Sequence, residues 1–121
     1  MRQVKDAADK GNVRARLAID VYAYRIRKYI GAYKAVLGRV DAVVFTGGVG
    51  ENAAFMRERI MQDLDTLGMA IDMEVNAATR AKAQDIAKKE SPSRILVIPT
   101  NEEKMIAVDT MEIALRSGQI A

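Results

Sequence analysis

Apolar residues recur at helical spacing from residue 13 to residue 37. One stripe runs through Ile19, Tyr22, Ile26, Ile30, Tyr33 and Leu37, and a second through Val13, Leu17, Val21 and Tyr24. The pattern predicts one long helix covered on more than one side. A short helical turn at residues 3–9 precedes it, ended by Gly11-Asn12, and Gly38 supplies a helix stop. Residues 40–45 are apolar and rich in β-branched side chains, which predicts a buried strand. A helix is expected over residues 53–67, with Ile60, Leu64 and Leu67 on one face and Gly68 at its end. Residues 69–73 suit a short strand, and the alanine-rich, charged residues 75–89 suit another helix. Ser91-Pro92-Ser93 reads as a turn. Residues 95–98 form a second buried strand, stopped by Pro99. Thr100-Asn101 can cap a last helix, Glu102–Arg116, with Ile106, Thr110 and Ile113 on one side.

Strands alternating with helices predict an α/β layered domain with partly parallel strands. The length of 121 residues suits one modest domain, with little core to spare. Half the residues are hydrophobic, so the chain is globular rather than disordered. Aromatics make up only 5%, which leaves the core to aliphatic side chains and Met.

The formal charge of +3 is spread among acids, as in Arg57-Glu58-Arg59 and Lys88-Lys89-Glu90. Nucleic-acid binders concentrate their charge and add stacking aromatics, so no nucleic-acid partner is expected. No apolar run approaches the ~20 residues of a membrane span, so no membrane partner is expected either. The first residues lack the apolar segment of a signal peptide. Cysteine is absent, which excludes disulfides and thiolate metal sites and fits a cytoplasmic location. Histidine is also absent, and with it the commonest acid/base group and metal ligand.

Two stretches share one plan of buried strand, polar loop and helix start: VVFTGGVGEN and ILVIPTNEE. Ligands collect at the carboxyl ends of strands in open α/β sheets, and helix starts suit anions. Gly47, Gly48 and Gly50 let the backbone pass close to a flat or charged ligand, although glycine-rich turns also occur without one. The pattern is neither a Walker A loop nor the dinucleotide fingerprint. Glu102 and Glu103 are favoured by the helix dipole alone, and equally suit Mg²⁺, which takes one or two carboxylates and leans on substrate phosphates.

Together VFTGGVGEN, VIPTNEE and RLAIDVYAYRIRKYIGAY resemble the C-terminal part of the acetate kinase family, in the acetate and sugar kinase/actin superfamily. The likeness runs over essentially the whole chain and is weakest at residues 76–93. It implies a single domain over residues 1–121, the last third of a longer two-domain kinase, with part of a ribonuclease-H-like (actin-like ATPase) fold. A short, mostly parallel sheet flanked by helices would result. It implies phosphoryl transfer between ATP and acetate with Mg²⁺, giving acetyl phosphate and ADP, in a homodimer. Propionate or butyrate kinases share much of the pattern. Gly48, Val49 and Asn52 would line the adenosine pocket, with Gly47 and Gly50 shaping the turn and Arg2 against the adenosine. Glu102 would act in catalysis, on magnesium through its water shell. Lys104 and residues 80–92 depart from the family pattern. The family's other catalytic groups lie upstream, so this chain alone is expected to be inactive. The alternative is a stand-alone, non-catalytic domain that binds nucleotide or assembles with a partner.

Overall fold

A computed structural model describes residues 1–117. Helix α1 (Arg2–Asp9) ends at Gly11, whose φ of +88° suits glycine. Asn12 then caps helix α2 (Val13–Leu37), its Oδ1 accepting the Ala15 N–H at 3.0 Å. Gly38 closes α2, donating its N–H to the Lys34 carbonyl at 2.9 Å. Strand β1 (Ala42–Phe45) leads into a six-residue helix, α3 (Gly47–Asn52), and then α4 (Ala54–Met61). A 3₁₀ turn (Asp65–Leu67) and helix α5 (Met73–Ala78) follow. Strands β2 (Gln84–Asp85) and β3 (Arg94–Val97) precede the last helix, α6 (Glu102–Arg116).

The three strands lie in the order β1-β3-β2. β1 and β3 are parallel, with Val43 opposite Ile95 and Phe45 opposite Val97, whereas β2 is antiparallel to β3. The sheet is therefore mixed rather than mostly parallel. Ile95 and Val97 point from alternate positions of β3 into one core with Phe45, Met56, Ile60 and Ile86. Burying each such side chain contributes about 1.5–3 kcal/mol. The inner stripe of α2, Ile19, Ile26 and Ile30, packs against this core.

The second stripe of α2 is not covered: Val13 is 74% exposed, Leu17 59% and Tyr24 58%. Tyr33 and Leu37, at the far end of the first stripe, are exposed as well. Two causes act: the second stripe lies on the face of α2 opposite the core-facing one, and the end of the first outruns the sheet. A 25-residue helix runs about 37 Å at ~1.5 Å per residue. A four-residue strand runs only about 13 Å. Among the described residues, no helix is long and apolar enough to cross a membrane.

Four local sequence expectations change. The glycines are not a loop before a helix; they themselves form α3. The helix expected over residues 53–67 stops at Met61, and Asp63 takes a left-handed conformation with φ +62°. The 3₁₀ turn and Gly68 (φ +81°) then reverse the chain, so that fully buried Met69 joins Ile60 and Leu64. Leu67 stays outside the core. The helix expected over residues 75–89 is instead α5, a loop and β2. Asp72 caps α5, accepting the N–H groups of Glu74 and Val75 at 3.0 Å. Pairing with β3 overrides the local alanine content beyond it. The Ile86 N–H reaches the Ile95 carbonyl at 2.7 Å, and Arg94 Nε holds Asp85 at 2.7 Å. The strand expected over residues 69–73 shrinks to one antiparallel bridge, Ile71 to Ala87.

Candidate functional site

Because β1 and β3 are parallel neighbours, their carboxyl ends sit side by side, and both polar loops open at the same edge. Gly47 begins α3 with φ +68°, a conformation that strains any other residue. At Gly50 an added Cβ would lie 3.0 Å from the Phe45 carbonyl carbon, so this turn presses directly on the strand end. Gly48 differs. A Cβ there would meet no heavy atom within 4 Å, and its bare backbone faces open space.

Glu51 joins the two loops. Its Oε1 accepts the Gly47 N–H at 2.9 Å, the Thr100 N–H at 2.9 Å and the Thr100 hydroxyl at 3.2 Å. The Thr100 N–H, helped by the Thr100 hydroxyl and the Gly47 N–H, holds this carboxyl below its usual range. Thr100 is thus spent on Glu51, and Asn101 alone caps α6, accepting the Lys104 N–H at 2.9 Å. Asn52 Nδ2 donates to the Gly48 carbonyl at 3.2 Å, an exposed bond that spans one turn of α3.

Beneath the turn lies Arg57, 0% exposed. Its Nε donates to Asn76 Oδ1 at 2.8 Å. Nη1 donates to the carbonyls of Gly50 (2.7 Å) and Glu51 (3.1 Å), and Nη2 to those of Asn76 (3.0 Å) and Thr79 (2.7 Å). Every partner is an uncharged oxygen. Burial lowers the Arg57 pKa from its ordinary value, yet the hydrogen bonds use the whole donor fork. Two of these oxygens end α3, where a cation also complements the helix dipole. Asn76 in turn donates to the Ala54 carbonyl at 3.1 Å.

The sequence-predicted residues divide between two clefts that meet at Gly48. Arg2, Gly48, Val49 and Asn52 line a cleft of about 720 Å³, together with Phe55 and Arg80. Gly47, Gly48, Glu51, Thr100, Glu102 and Glu103 line a second, of about 360 Å³. Gly50 lines neither and acts from below. Arg2 and Glu102, 100 positions apart in sequence, thus stand on opposite sides of one glycine. Among the described residues no group of three or more Asp or Glu is poised to hold a metal ion. Glu102 and Glu103 nonetheless offer hard, water-facing carboxylate oxygens at the rim. Such a pair suits Mg²⁺ that is shared with phosphates and is too sparse to retain the ion unaided.

Sequence reasoning missed Glu51, Arg57, Asn76 and Arg80. Glu51 was visible within the glycine motif, but a ligand-like acid and a structural tie look alike there. Arg57 lies in a run of alternating charges that reads as a solvated face.

Most of the chain matches known proteins. Residues 1–108 match the Acetokinase family. The chain is 50% identical over 113 residues to an acetate kinase of Porphyromonas gingivalis, covering 93% of this chain and 28% of that protein. The crystal structure of Porphyromonas gingivalis acetate kinase superposes with a TM-score of 0.83, at 50% identity and again 93% and 28% coverage. A propionate kinase structure from Francisella tularensis superposes with a TM-score of 0.77 at 42% identity, covering 88% of this chain and 27% of that one. The chain therefore spans about 28% of the length of such relatives. With its family match running over most of its length, this chain belongs to the acetokinase family.

Proposed function

We propose that this chain is the nucleotide-side portion of a small-carboxylate kinase that, as a longer two-domain protein, transfers a phosphoryl group between ATP and acetate. The observation that carries the reading is the paired clefts around Gly48, one bare and cationic, the other lined by carboxylates. Gly48, Val49 and Asn52 would hold the adenosine, with Arg2 against it. Gly47 and Gly50 would shape the turn. Glu102 would steady, through its water shell, a Mg²⁺ that neutralises charge on the transferring phosphates. The sheet would form part of a ribonuclease-H-like half of the clamp. Propionate stands beside acetate as the acceptor, since a propionate kinase matches nearly as well.

A cytoplasmic homodimer fits this reading, with the exposed stripe of α2 as the surface to test. Sedimentation at rising concentration should show self-association, and a monomer throughout would count against it. The 121 residues alone should not catalyse, because phosphoryl transfer needs groups positioned on both sides of the phosphates.

The decisive experiment is a titration of MgADP into this chain, repeated with Asn52→Ala. Saturable binding that weakens in the variant is expected. Binding indifferent to Asn52 would remove the glycine turn from the nucleotide site.

A further inference from the structure

We infer that Arg80 is a nucleotide-contact residue, its planar guanidinium closing the cleft beside Gly48 by stacking on the purine of a bound adenine nucleotide. The inference rests on the nucleotide reading above and adds to it a residue that no motif pointed to. Arg80 lies in the loop between α5 and β2, and its two neighbours are both tied to the glycine turn. The Thr79 carbonyl accepts from Arg57 Nη2 at 2.7 Å, and the Ala81 N–H donates to the Glu51 carbonyl at 3.1 Å. Arg57 also holds the carbonyls of Gly50 and Glu51. One buried guanidinium therefore sets both the floor of the cleft and the loop beside it.

Ala81 takes φ +47°, a left-handed conformation that side chains rarely adopt. Backbone strain of this kind persists where surrounding bonds over-determine it, and it gathers at binding sites. Between these anchors the Arg80 side chain is exposed and lines the cleft. Among the described residues it has no ion-pair partner.

Charge decides which part of the nucleotide it meets. Arg2, Lys5 and Arg80 line this cleft, and no carboxylate does. Lys5 is already paired with Asp9. The acids Glu51, Glu102 and Glu103 stand across Gly48 in the neighbouring cleft. Cation-bound phosphates suit that acidic side, which leaves the base and ribose on the cationic side. A guanidinium lies flat on a purine face, a planar stacking that the compact ammonium of lysine cannot reproduce.

The test titrates adenosine and MgADP separately into the 121-residue chain, Arg80→Ala and Arg80→Lys, following amide shifts by NMR. Arg80→Ala should weaken both ligands by the same factor, roughly three- to tenfold. Arg80→Lys should not restore them. Amide shifts away from the cleft should stay put, as they would not if Arg80 merely held the loop. Full rescue by lysine, or an Arg80→Ala chain that binds as well as the parent, would overturn the inference while leaving the nucleotide reading intact. A loss confined to MgADP would move Arg80 to the phosphates and overturn it too. A parent chain that binds neither ligand would sink both readings.

Discussion

The two strand ends are built to one plan in sequence and held in opposite ways in space. After β1, the glycine helix α3 presses on Phe45, is tied from below by Arg57, and is flanked by a loop anchored to the same guanidinium. After β3, helix α6 buries no residue; Met105, Ile106, Met111 and Ile113 are each more than half exposed. One carboxylate, Glu51, connects the two. A strand–loop–helix unit therefore carries no rigidity of its own. The β1 end is preformed because buried groups converge on it, whereas the β3 end is positioned by its strand and a few exposed hydrogen bonds.

The largest expected effect comes from breaking the rigid side. Arg57→Met keeps the bulk but leaves the carbonyls of Gly50, Glu51, Asn76 and Thr79 without their donors. We expect a loss of at least about 3 kcal/mol, because several buried neutral acceptors lose their donor at once and each one left unsatisfied costs about 1–3 kcal/mol. Denaturant unfolding would measure it, and a loss under about 1 kcal/mol would show that the buried bonds do not hold this end together. Gly50→Ala is the next test. Its Cβ would press on Phe45 backbone at 3.0 Å, with an expected cost of about 1–3 kcal/mol. Wild-type stability there would mean that the turn can draw back from the strand.

Asn101→Ala probes the loose side. Removing this cap should weaken α6 by about 1 kcal/mol. Because α6 buries nothing among the described residues, faster hydrogen exchange in its first turn should appear without a matching fall in Tm. An equal fall in Tm would show that α6 is coupled to the core after all. The smallest effect is expected from acid. A carboxyl held below its ordinary 4.5 strengthens the folded state above that pH, and the contribution is lost as pH falls through the lowered value. The amide shifts of Gly47 and Thr100 should therefore move together below pH 4.5, whereas those on the core strands should not. Independent titration of the two amides would mean that Glu51 does not join the loops.

Much of this was legible before any fold was known. Helices α1, α2 and α6 and strands β1 and β3 follow from period, caps and β-branched runs. The glycine positions followed from backbone freedom, and the structure requires it at Gly47 and Gly50. What escaped were features whose cause lies far along the chain. Residues 84–85 have no strand signal of their own and become β2 because β3 offers an open edge. Residue 63 carries no helix breaker, yet the chain turns there so that Met69 can bury.

Arg57 marks the boundary between the two kinds of knowledge. Composition, periodicity and the glycine motif by themselves determined the α/β class, the main elements and the strand-end plan, because each depends on a few neighbouring residues. Only the tertiary structure decided that an arginine from a charged run is buried, that two clefts share Gly48, and that Arg80 overlooks one of them. The reason is desolvation. A guanidinium can leave water only where a full set of oxygens awaits it. Here those oxygens come from residues 50, 51, 76 and 79, brought together by the fold.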